Sequence, residues 1–154
     1  MPEIHLTPEQ IFAFANYGVL PFWALLIILP TLKLTDFIVH SVAAPILLGT
    51  LYLWFFLDGA FTDSGASLQD FMSLAGVMKL FTMPKAVVTG WVHYLVFDLF
   101  VGAWIGRDAQ RCALPHLLVV PCLVLTLLLG PLGLLAYLLL RGILNRGGWQ
   151  LFEG

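Results

Sequence analysis

"GWVHYLVFDLFVGAWIGRDA", residues 90–109, decides how this chain is read. Up to Gly106 it is apolar except for His93, Tyr94 and Asp98. About 20 such residues make a helix long enough for the roughly 30 Å hydrocarbon core of a bilayer. Lipid offers His93 and Asp98 no solvation, and an ionised Asp at a helix centre costs about 2.5–3.5 kcal/mol on insertion scales. Asp98 falls just past the middle of the span, and its short side chain cannot reach the interface. It has to face protein or water, or hold its proton. That makes it the first candidate for function.

The rest of the chain agrees with a membrane reading. Of 154 residues, 60% are hydrophobic and 10% charged, with a mean hydropathy of +0.96. Soluble domains carry about 25% charged residues. The net charge of −2 is scattered, so no basic stripe exists to hold nucleic acid. Cys112 and Cys122, if on one helix, stand roughly 15 Å apart, too far for a disulfide. "MPEIHLTPEQ" has no basic region before its apolar run, as a leader would.

Four apolar segments reach spanning length: about 8–30, 36–57, 86–106 and 114–140. Thr7, Pro8 and Gln10 form a capping box at the start of the first, and Pro30 closes it. Arg141 and Gly142 end the fourth, and Gly130-Pro131 is expected to kink it. Residues 58–67, "DGAFTDSGAS", read as a polar loop. Beyond it, Ser67 and Asp70 have capping-box spacing. Leu68, Phe71, Met72, Ala75 and Met78 share one face of a short interfacial helix over 67–81. The expected fold is therefore an all-α integral membrane protein, a four-transmembrane-helix bundle in one domain with one interfacial helix. Four crossings put both termini on one side, with Lys79, Lys85, Arg141 and Arg146 there against Lys33, Arg107 and Arg111 opposite. Four cations against three barely choose an orientation.

Chain direction sorts the polar groups by depth. His40 and His116 enter the membrane on the side where the third span ends, with Arg107 and Asp108 at that boundary. Asp98 is about 12 Å inside it. His93 is deeper, near the level of Asn16. His93 and Asp98 lie about 140° apart around their helix and can line one broad wall, with Trp91, Tyr94 and Phe97 forming an apolar slot. The candidate set is Asp98, His93 and His40 for chemistry, and Asn16, Trp91, Tyr94, Phe97 and His116 for binding. Each has a packing alternative: a histidine satisfied by a neighbouring helix, an aromatic in the interfacial belt. Trp23, Trp54, Trp104 and Trp149 read as such belt or packing residues, and Gly102 with Gly106 as a close-packing pair.

No P-loop, GxGxxG or CxxC is present, and no HxxxH or HxxHH pair, so no metal ligands are assigned. A haem between two of His40, His93 and His116 stays open, with His40 and His116 as the level pair.

"LTPEQIFAFAN", "VHS", "GVMKLF", the 90–109 block and "PHLLVVPCLVLTLLLGPLGLLAYLLLR" together resemble a small membrane-protein family. It is that of the plastid abscisic-acid-deficient, neoxanthin-formation protein, and this chain is most similar to its compact bacterial members. The resemblance covers most of the chain. It implies a four-helix membrane protein, here in the bacterial cytoplasmic membrane, and carotenoid or isoprenoid-lipid chemistry. In plants the family's role implies conversion of the epoxide violaxanthin into the allene neoxanthin, an isomerisation that needs no external cofactor. An acid must protonate the epoxide oxygen while a base takes a carbon-bound proton. Asp98 as acid, His93 as base and His40 as tuning group meet that need. The expected partners are the bilayer and a carotenoid-like lipid, with a second copy or a partner enzyme compatible. Two rival readings are a haem- or quinone-binding redox protein, and a non-catalytic carotenoid-binding or assembly protein.

Overall fold

The computed structural model describes residues 6–61, 67–148 and 150–151, without the side chains of 58–61. The leader reading over residues 1–5, the loop reading over 62–66 and the belt reading of Trp149 lie outside the described residues. Within them the chain is all-helical: α1 (Pro8–Ile28), α2 (Lys33–Ile38), α3 (Ala43–Phe61), a 3₁₀ turn (Leu68–Met72), α4 (Leu74–Leu80), α5 (Pro84–Arg111) and α6 (His116–Ile143). Helices α1, α5 and α6 are each long and apolar enough to cross a membrane, and α3 supplies a shorter apolar stretch. That inventory is compatible with the all-α membrane bundle expected.

The start of α1 forms as its residues dictate. The Thr7 N–H donates to Gln10 Oε1 at 2.9 Å, and Thr7 Oγ1 accepts from the Gln10 N–H at 3.3 Å, satisfying donors that a helix start leaves orphaned. The segment read as one span over 36–57 is divided instead. In a continuous helix Pro45 would lose its bond to Ser41 and press its ring on the Ser41 carbonyl. The chain bends at 39–42, and Pro45 falls in the first turn of α3, where no N–H is needed. Ser41 serves both ends of the bend: its hydroxyl donates to the Phe37 carbonyl and accepts from the Ala43 N–H. At its far end α3 continues through 58–61 as helix, where a loop was expected.

The expected 67–81 helix also forms in two pieces. Ser73 is extended, and its hydroxyl accepts from the Gly76 N–H at 3.0 Å to cap α4. Gly76 lies so close to the Asp70 backbone that a Cβ has no room. The capping box predicted for Ser67 and Asp70 is present in full. Leu68, Phe71, Met72 and Met78 are all exposed, as an interfacial segment requires.

The chain divides into two compact units. One comprises the chain up to Gly18 with Ile46–Val96, and the other Val19–Pro45 with Phe97 onward. In the first, Phe12 and Asn16 of α1 meet Trp91 of α5, and Tyr52 of α3 meets His93. In the second, Trp23 lies against Gly102, and Leu26 with His40 against Gly106. Pairs 23/102 and 26/106 ascend together, so α1 and α5 run parallel there. The small pair on α5 does what small-xxx-small spacing does in membranes, admitting bulky neighbours up to the backbone.

Helix α6 departs furthest from expectation. Leu129 leaves helical backbone, at φ −148° and ψ 46°, just before Gly130-Pro131. The departure is far larger than a kink. A Cβ on Gly133 would overlap the Thr126 backbone, whereas residues seven apart in an unbroken helix stand about 10.5 Å apart. The two legs, 116–128 and 130–143, fold back as a hairpin. Both ends consequently return to the end of α5: His116 follows Cys112 by four residues, while Arg141 reaches Asp108 at 3.3 Å and Gly147 abuts Cys112. Cys112 and Cys122 are free, as expected.

Candidate functional site

Asp98 is 7% exposed. Its carboxylate lies against the backbone of Gly130, where a Cβ would occupy the position of its oxygens. The hairpin tip of α6 is thus what covers the acid. Two consequences follow from the sequence of that tip. Glycine is required for the close approach. Pro131 suits the first turn of the second leg, because the N–H it lacks would have had no helical partner. The second leg begins at the carboxylate, so the positive end of its dipole is the end nearest Asp98.

On the same unit, Trp23 Nε1 is buried with no hydrogen-bond partner among the described residues, while the His40 ring is in hydrogen-bond reach of the Ala103 backbone. Buried polar atoms in folded proteins nearly always have partners, so a group like the Trp23 indole N–H calls for an explanation such as a ligand or an ordered water. Trp23 is 1% exposed and packs on Gly102. His40 Cε1 stands 3.0 Å from where a Cβ of Gly106 would be, with Asp36 and Arg107 the charges acting on its ring. His116 is differently placed, its Nε2 engaging the Ile27 carbonyl at 2.8 Å. Of the level pair that a haem would use, His116 is therefore committed to backbone.

Asn16, Trp91, His93 and Tyr94 belong to the first unit. Asn16 Oδ1 accepts from the Trp91 indole N–H at 2.7 Å, so these two satisfy each other. Trp91 also stacks obliquely with Phe12 at 5.5 Å and Tyr94 at 5.4 Å. His93 meets Tyr52 edge-on at 5.5 Å and is exposed on the protein surface. Phe97, at the start of the second unit's share of α5, is exposed as well.

A cluster that sequence reasoning took for boundary residues sits around Asp108, which is 1% exposed. Its Oδ1 accepts from Arg111 at 2.5 Å. Its Oδ2 accepts from the Tyr137 hydroxyl at 2.5 Å and pairs with Arg141 at 3.3 Å, with Cys112 Sγ at 3.8 Å. Arg141, 2% exposed, also donates to the carbonyls of Arg146, Gly147 and Gln150. The available signal was Tyr137 and Arg141 at i, i+4 on one helical face; their partner becomes visible only once the hairpin has formed.

The profile of a family described as ABA DEFICIENT 4-like matches residues 10–137. The chain is 26% identical over 143 residues to the protein ABA DEFICIENT 4, chloroplastic, of Arabidopsis thaliana. That alignment covers 89% of this chain and 63% of the relative, so the chain spans less than two thirds of the relative's length. No solved structure matches the chain significantly.

Proposed function

Because the chain belongs to the ABA DEFICIENT 4-like family, we propose that it acts on a carotenoid-like lipid in the membrane, with Asp98 as proton donor in an epoxide isomerisation. The observation that carries this reading is the burial of the Asp98 carboxyl in the apolar middle of α5, under the glycine tip of α6. A carboxyl is a costly helix fastener in lipid, but a useful acid where water is excluded. In the step itself the acid gives its proton to the epoxide oxygen as the C–O bond opens. A base takes a proton from the adjacent carbon, and that electron pair completes the allene. One proton enters and one leaves, with no change of oxidation state.

Two features of the unit support the assignment. The carboxylate left by proton donation meets the positive end of the second leg of α6, the side of a helix that stabilises anions. The Trp23 indole N–H has no protein partner among the described residues, and an oxygen of the substrate is a suitable acceptor for it. The membrane proposed is the bacterial cytoplasmic membrane; the plant relative is named as chloroplastic.

The test is conversion of violaxanthin in a pigment-producing host, run beside thermal melting in detergent. Asp98→Asn keeps the side-chain shape and is expected to melt like the parent while losing turnover. His40→Gln and His93→Gln, measured in parallel, identify the base. Full conversion by a normally folded Asp98→Asn removes Asp98 from the chemistry.

A further inference from the structure

We propose that α6 is a re-entrant hairpin that enters and leaves the membrane on one face, its tip stopping at the level of Asp98. After α5, the two ends of α6 are fastened to a single place. Its start follows Cys112 directly. Its finish is held there by the Arg141 pair to Asp108, the Tyr137 bond to Asp108 and the seat of Gly147 on Cys112.

The dimensions fit an element that stops inside the bilayer. Each leg, about 13 residues long, rises about 20 Å at 1.5 Å per residue, short of the roughly 30 Å core. Its tip rests on Asp98, ten residues and about 15 Å from Asp108 along α5. Backbone freed at the tip is tolerable at that depth only when it is buried in protein; Gly130 is buried against Asp98, while Leu129 and Pro131 on either side of it are exposed.

Single variants Pro115→Cys and Leu144→Cys, both at exposed positions, test this in sealed inside-out vesicles with a membrane-impermeant maleimide. Modification from the same side supports it and modification from opposite sides refutes it. The unsubstituted chain, whose own Cys112 and Cys122 are buried, is the control. None of these readouts depends on the carotenoid reading.

Discussion

Gly130 shows how one missing atom can position a functional group. Only a residue without Cβ lets the tip of α6 rest on the Asp98 carboxylate. Gly130→Ala is expected to cost about 1–3 kcal/mol through overpacking, seen as a lower melting temperature, and to displace Asp98. Gly49→Ala is the matched control. Nothing lies within 4 Å of a Cβ there, and Ala favours helix over Gly by up to about 1 kcal/mol, so its melting point should hold or rise. Equal losses in both variants would mean that the contact with Asp98 carries no weight. The candidacy of Asp98 was legible in residues 90–109, since an acid flanked by apolar residues at mid-span needs a reason. Its partner was not legible, because Gly130 is 32 positions away and nothing local pairs them. Asn16 was legible at the depth of His93, whereas the structure pairs it with Trp91, and the two satisfy each other.

The segment from the 3₁₀ turn to α4 gives a titration at the scale of elements. The Asp70 carboxyl is held below its ordinary value of 3.8, first by the Ser67 N–H and then by Lys79. The Ser67 N–H donates to Asp70 Oδ2 at 2.8 Å, and Lys79 Nζ stands 3.1 Å from the same oxygen. A depressed carboxylate contributes its stability above its unfolded value and loses it as pH falls through its folded value. The cap therefore persists through neutral pH and releases only below about pH 4. Followed by NMR, the Ser67 amide proton should titrate with a midpoint under 3.8, and Asp70→Asn should abolish the transition. A midpoint above that value would contradict the cap. The capping residues of this segment were readable because they are local; the break at Ser73 was not, since it depends on Gly76 packing against Asp70.

At the scale of the whole molecule, the Asp108 cluster closes the α6 hairpin on the end of α5, and Arg141 also holds the carbonyls of Arg146, Gly147 and Gln150. Removing one partner of a buried pair leaves the other charge uncompensated, at about 3–5 kcal/mol. Asp108→Ala is therefore expected to lower the melting temperature far more than Lys79→Ala, whose pair with Asp70 is exposed and screened by water. Comparable losses would show the cluster to be marginal. The sequence by itself determined the helical class, the four apolar segments, the α1 cap, the close-packing glycines of α5 and the anomaly of Asp98. Each of these depends on composition, period or spacing within a few turns of helix. The bend-back of α6, the seat of Gly130 on Asp98 and the burial of Asp108 with Arg141 were decided only by tertiary structure. A Gly-Pro step signals that a helix is interrupted, but not the angle at which the chain continues. That angle is set by how the second leg packs against α5, a contact between residues about 30 positions apart whose pairing no local pattern encodes.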